Sequence, residues 1–180
     1  MFRECDMSEF DDEYSESLET EFRELAGSLL EDTVRLLAPS EPLRLKADQS
    51  VARAITAMVQ NRRAAVVIVD EADRLIGIFT ERDVLTRVMG AGRVARDTLL
   101  ADVMTPDPES LRPDDRIGYA INRMHAGGFR SLPLVDEAHR PIGIITVNDV
   151  VRWLAEIFPE AVLNLRPGDK LKNPEQIDAG

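Results

Sequence analysis

Residues 45–84 return at residues 111–150 at a constant offset of 66, with no gap needed to hold the two copies in register. Leu45 aligns with Leu111, Asp48 with Asp114, Ala54 and Ile55 with Ala120 and Ile121, and Met58 with Met124. The match continues through Val69-Asp70-Glu71-Ala72 and Val135-Asp136-Glu137-Ala138, then Arg74 and Arg140, then Ile76-Gly77-Ile78 and Ile142-Gly143-Ile144. It ends at Thr80 with Asp83-Val84 and at Thr146 with Asp149-Val150. A repeat of this length makes the fold a duplicated unit. By itself it names no ligand.

Within each copy the periodicities prescribe β-α-β-β-α. In the first, Leu43 to Leu45 is a short strand, and Asp48 or Ser50 caps a helix whose stripe is Val51, Ala54, Ile55, Met58 and Val59. Ala64 to Val69 is short and β-branched, a strand buried on both faces. Asp70 to Asp73 is a polar turn, Leu75 to Phe79 a further strand, and Thr80 opens a closing helix that runs through Met89. The second copy repeats this with a strand at Leu111, a cap at Asp114, a helix carrying Ile117, Ala120, Ile121 and Met124, and a turn at Gly127-Gly128. Strands over Ser131 to Val135 and Ile142 to Ile145 follow, and then a helix from Thr146 to about Ile157, ended by Pro159. Both units close on Gly-apolar-apolar-Thr-x-x-Asp, a strand passing into a helix with a capping-box signature.

Outside the repeat, charge is the informative property. The net charge of −11 is concentrated in residues 1–32, where twelve acids face two bases. The other 148 residues hold 20 bases and 21 acids. A near-neutral folded part argues against nucleic acid, which is gripped by basic surface. Residues 1–12 read as disordered. From Glu13 onward, Tyr14, Leu18, Phe22, Leu25 and Leu29 share one face of an amphipathic helix expected to stop at Gly27. Ser28-Leu29-Leu30-Glu31 reads as a capping box for a short helix through Leu37. Leu99 to Met104 is a further short helix, and the tail after Pro159 is an irregular arm. The expected divisions are an acidic N-terminal segment (1–27), a first unit (28–92), a second unit (93–157) and a C-terminal tail (158–180).

No apolar run approaches the roughly 20 residues that span a bilayer, and the first residues lack a signal peptide's pattern, so the expectation is a cytoplasmic protein without membrane contact. Cys5 is the one cysteine, in an acidic setting that offers no cation to activate it. His125 and His139 have no metal-ligand company in the sequence, and no metal site is expected. No nucleophile triad, Cys-His pair or phosphate-cradling glycine loop appears either, so the chain reads as no enzyme.

The two β-α-β-β-α units, with Asp102-Val103-Met104-Thr105-Pro106 before the second and Leu132-Pro133-Leu134-Val135-Asp136 inside it, resemble a tandem pair of CBS (cystathionine β-synthase) domains, the Bateman module. The resemblance spans about residues 28–157. It implies an α/β (α+β) fold in which the units pack sheet against sheet about a pseudo-twofold axis, here with an acidic N-terminal helical extension. It also implies clefts that take AMP, ADP or ATP, or in some members S-adenosylmethionine or NAD, and association into a homodimer. Carried over position by position, the ribose-binding aspartates are Asp83 and Asp149, and the phosphate-side residues are Thr80 and Thr146. Arg82 adds a cation whose counterpart is Asn148, and Arg130 stands where some members present a base, its counterpart being Ala64. The sites are therefore unequal, and one is expected to hold nucleotide tightly. Leu43, Leu45, Val66, Val67, Leu111, Leu132 and Pro133 are candidates for the adenine slot.

Two readings stay open for the Thr/Asp pairs: a capping box and nothing more, or a cap that also meets ligand. Arg62 and Arg63 read as surface. The function implied is a non-catalytic regulatory module that binds adenosine-containing nucleotides and signals in trans to an unidentified protein target. The alternative is a ligand-free scaffold that works through its acidic helix.

Overall fold

The computed structural model describes residues 27–157, together with Thr20 and Arg23. The expectations for residues 1–19, for Tyr14, Leu18, Phe22 and Leu25, and for the tail from 158 lie outside the described residues.

The duplication is the architecture. Strand β1 (Arg44–Lys46), helix α1 (Val51–Asn61), strands β2 (Ala65–Val69) and β3 (Leu75–Thr80) and a closing helix α2 (Glu81–Asp83, continued by π-helical turns over Val84–Met89) make the first unit. After a short strand β4 (Thr105–Pro106), the second unit presents α3 (Ile117–Gly127), β5 (Ser131–Val135), β6 (Pro141–Thr146) and α4 (Val147–Ile157). Helices α1 and α3, and the strand pairs, begin 66 residues apart. Both hairpins share one register, Ala65 opposite Thr80 and Ser131 opposite Thr146, and both are irregular at the same step, Ile68/Val69 and Leu134/Val135. Even the left-handed residues match: Arg62 with Gly128, and Asp73 with His139.

The first sheet runs β1-β2-β3-β4, with β1 parallel to β2 and the rest antiparallel. In the second unit the edge strands shrink to single bridges, Leu111 to Leu134 and Ser40 to Ile144. Leu111 thus pairs as the repeat requires, over a shorter run. Each unit has its own core under its helices. One is built on Leu45, Val51, Ala54, Met58, Val66, Ile68 and Phe79, the other on Leu111, Ile117, Ala120, Met124, Leu132, Leu134 and Trp153. Smaller clusters, Ala65 with Ile78 and Ile144, and Val67 with Leu75 and Val135, join the two sheets. The Leu75 amide donates to the His139 carbonyl across that junction at 2.8 Å.

The segments before each unit are exchanged. A 3-10 turn over Val34–Leu37 delivers Val34 and Leu37 to the second unit's core, while its counterpart over Leu100–Asp102 delivers Leu100, followed by Val103, to the first. The hydrogen bonds swap under the same offset. Val34 N–H donates to Asp115 O and Leu100 N–H to Gln49 O, both at 2.9 Å, and Ile117 N–H to Asp32 O at 3.0 Å mirrors Val51 N–H to Thr98 O at 2.9 Å. The glycines of the repeated motif are explained by these straps. A Cβ on Gly77 would stand 2.4 Å from Met104 Sδ, and one on Gly143 2.9 Å from Pro39 Cβ.

Several local expectations give way. Gly27 does not end a helix: residues 27–31 are helical, the Asp32 amide donates to Ser28 O at 2.8 Å, and Ser28 is therefore inside the helix and caps nothing. The cost of a helical glycine, about 1 kcal/mol, is offset where Leu29 packs against the second core. Ser50, not Asp48, caps α1, accepting from the Arg53 amide. Asp114 does not cap α3, which starts after Arg116 with no side-chain cap; Asp114 instead pairs with Arg35 at 3.0 Å. Val59 lies on the predicted stripe but is 72% exposed, because the sheet covers only the Val51, Ala54 and Met58 edge of α1.

Candidate functional site

Each closing helix begins at a threonine and buries an aspartate. Thr80 has extended backbone (φ −124, ψ 167), so its own N–H and hydroxyl point back over the first turn. Asp83 Oδ2 accepts from Thr80 N–H at 2.9 Å and from Thr80 Oγ1–H at 2.7 Å, and the Asp83 amide donates to Thr80 Oγ1 at 3.4 Å. Asp149 Oδ2 accepts from Thr146 N–H at 2.8 Å and Oγ1–H at 2.7 Å. Both carboxylates are buried, 7% and 8% exposed. The first copy closes the full capping box, and in the second the aspartate half of it is in place.

The cap engages one carboxylate oxygen and leaves the other. Asp83 Oδ1 faces Arg87 Nε at 3.2 Å, and Asp149 Oδ1 faces an Arg152 guanidinium nitrogen. Neither arginine was singled out from the sequence. The signal was present, since both lie one helical turn after the aspartate, where opposite charges meet. Residue 87 reaches Asp83 from i+4 and residue 152 reaches Asp149 from i+3, and the closing helices differ in winding, π-helical in the first copy and α-helical in the second.

The other candidate cations sit at the rim. Arg82, Arg130 and Asn148 are exposed. The Val147 amide donates to Arg130 O at 3.1 Å, which sets Arg130 beside the Thr146 turn; the equivalent bond, Glu81 N–H to Ala64 O at 3.0 Å, sets Ala64 beside Thr80. Next to it opens an apolar groove of about 580 Å³ between α1 and α2, lined by Ile55, Met58, Val59, Val84 and Leu85, with Arg62, Arg63, Ala64 and Glu81 at its rim. Thr80 and Asp83 are not among its lining residues.

The adenine candidates are placed differently. Leu45 and Val66 belong to the first core, Leu111 and Leu132 to the second, and Val67 to a cluster between the sheets. Pro133 is buried in β5, and Leu43 is partly buried against the first core. Their side chains pack inward, so what this stretch offers a base in the present conformation is strand backbone. Among the described residues, no group of three or more His, Cys, Asp or Glu side chains is arranged to hold a metal ion. No helix of the described residues is long and apolar enough to cross a membrane.

Comparison with known proteins gives this geometry a family. The CBS domain family model matches residues 35–90 and again residues 100–156. The chain belongs to the CBS domain family. Its two CBS domains stand in tandem. The CBS domain-containing protein CBSCBSPB3 of Arabidopsis thaliana is 26% identical over 178 residues, an alignment covering 88% of this chain and 30% of that protein. The chain therefore spans less than a third of this relative's length. Among solved structures, CBSX2 in complex with AMP is 25% identical with a TM-score of 0.57, covering 68% of this chain and 96% of that one. The CBS domain pair of MJ0100, in complex with 5′-methylthioadenosine and S-adenosyl-L-methionine, is 21% identical with a TM-score of 0.62, covering 68% and 98%, a likeness of fold.

Proposed function

We propose that the tandem CBS domains form a non-catalytic regulatory module whose cap aspartates hold the ribose of an adenosine-containing nucleotide, AMP, ADP or ATP. The carrying observation is the division of labour within each carboxylate. Oδ2 is fixed by the threonine cap, while Oδ1 rests on an arginine that is itself 43% (Arg87) or 58% (Arg152) exposed. An exposed guanidinium contributes little and is displaceable. A vicinal diol offers two O–H donors to the same acceptor, on a carboxylate already held in place. Thr80, Thr146, Arg82, Arg130 and Asn148 stand on the phosphate side, and strand backbone near Leu43, Val66, Leu111 and Pro133 reads the adenine edge. That CBSX2 holds AMP supports the ligand class. S-adenosylmethionine and NAD remain in the panel as adenosine-containing competitors. Occupancy then shifts the module between states that a protein target distinguishes, by as much as the ligand's differential affinity for them.

Calorimetry and thermal melting against AMP, ADP, ATP, S-adenosylmethionine and NAD test this. At 100 times its Kd, a nucleotide stabilises the folded chain by about 2.7 kcal/mol, and the double variant Asp83→Ala with Asp149→Ala removes the rise. A specific observation favours a second reading, a ligand-free scaffold: both carboxylates already complete a structural cap. Silence across the panel would leave that reading standing.

The module also has a face suited to a second copy. Val59, Leu85, Met89 and Val151 on the helices are 72%, 65%, 69% and 54% exposed, large apolar side chains that a second copy would cover. Sedimentation velocity is expected to give the mass of two chains, and Val59→Glu with Leu85→Glu to return it to one.

A further inference from the structure

Arg87 touches two things at once. Its Nε lies 3.2 Å from Asp83 Oδ1, and its NH1 donates to the carbonyl of Val103 at 3.0 Å. Val103 is 2% exposed, in the strap that joins the domains, and the next residue, Met104, packs over Gly77 of the Thr-x-x-Asp motif. The strap is otherwise tied to the first domain by Leu100 N–H to Gln49 O and Ala101 N–H to Ala47 O, both at 2.9 Å, and by the pairing of Thr105 and Pro106 with Ile78 and Gly77.

Among the described residues, the second domain has no such bridge. The residue 66 positions after Arg87 is Trp153, 6% exposed in the second core, and among the described residues Arg152 makes its polar contact with Asp149. Among the described residues, then, no arginine relays the Asp149 carboxylate to the strap over residues 34–40. The two clefts thus differ in this connection as well as in Arg82 against Asn148 and Ala64 against Arg130.

We infer that Arg87 couples occupancy of the Asp83 cleft to the interdomain strap, and that the Asp149 cleft lacks this output. The inference rests on the ribose reading above. A diol that takes Asp83 Oδ1 removes the anchor that orders Arg87. The long side chain then regains rotamer freedom, and the Val103 carbonyl loses its charged donor. Binding at one cleft is thereby converted into loosening of residues 100–104. Arginine is required for this because its planar fork spans a carboxylate and a carbonyl together, whereas a lysine ammonium presents a single point of charge.

The test uses the full chain in an Asp149→Ala background, so that AMP heat reports the Asp83 cleft alone. Hydrogen exchange is followed at the Val103 and Met104 amides, which donate to Leu100 O at 3.1 and 2.8 Å. AMP is expected to accelerate their exchange on the order of tenfold, within the usual range of site-to-site coupling. Adding Arg87→Ala should make exchange fast before AMP is added, with AMP still bound and no further acceleration; Arg87→Lys should behave like the alanine variant. Circular dichroism melting of each variant establishes that it folds. AMP heat with unchanged or slower exchange at these amides overturns the coupling while leaving the ribose reading intact. Absence of AMP heat in the Asp149→Ala background but not in the unmodified chain also overturns it, whereas absence of heat in both overturns the ribose reading with it.

Discussion

Thr80 and Gly77 do separate jobs within one motif, and so do Thr146 and Gly143. The threonine fixes the aspartate and the glycine admits the strap. The two glycines are not equally replaceable. At Gly77 the atom in the way of a Cβ is Met104 Sδ, the middle of a flexible side chain that can swing aside. At Gly143 it is Pro39 Cβ, fixed to the backbone by its ring. Gly143→Ala is therefore expected to cost about 1–3 kcal/mol, the usual range for overpacking, and Gly77→Ala clearly less. Denaturant midpoints for the two variants decide it; equal losses would mean that the straps yield as a whole. The same motif explains what a sequence reader could and could not see. Thr-x-x-Asp was legible as a cap because its spacing closes both hydrogen bonds locally. Arg87 was legible at most as an i+4 partner of Asp83 and not as a contact of the strap, because its second partner, Val103, lies 16 residues away.

At the scale of elements, nearly every strand and helix inside the repeat was readable, since period and duplication agree with each other there. The closing strands run one residue further than expected, to Thr80 and Thr146, which is within the usual uncertainty of element ends. The misreadings fall where structure depends on the other half of the molecule. The strap over residues 32–37 occupies the place of residues 98–103, yet Thr33, Val34, Arg35 and Leu36 stand opposite Leu99, Leu100, Ala101 and Asp102 with no identity. Two apolar side chains and a line of backbone hydrogen bonds are all the fold demands of a strap, and neither demand leaves a motif. The part that the adenine candidates play is subject to the same limitation. Apolar strand residues at repeat positions mark a buried sheet, but which face meets a cleft and which meets a helix is set by packing that alternation in a doubly buried strand does not encode.

For the whole molecule, the exchanged straps mean that neither repeat is a complete folding unit by itself. A fragment of residues 28–92 contains the strap that belongs to the second core and lacks the one that belongs to its own. Without Leu100 and Val103, both buried at 2% exposure or less, the first core loses two walls, each worth about 1.5–3 kcal/mol by apolar burial. It also loses the partners of Gln49 O and Thr98 O's acceptor role toward Val51, along with strand β4 on the exposed edge of β3. The fragment 93–157 is deprived in the mirror sense, of Val34 and Leu37 and of the Ser40 to Ile144 bridge. Losses of this size are comparable with the entire stability of a small domain. Each fragment alone is therefore expected to melt without a cooperative transition, and an equimolar mixture to recover one, because each supplies the strap the other is missing. Cooperative melting of either fragment alone near the temperature of the intact chain would show that the straps are dispensable and that the two repeats fold independently.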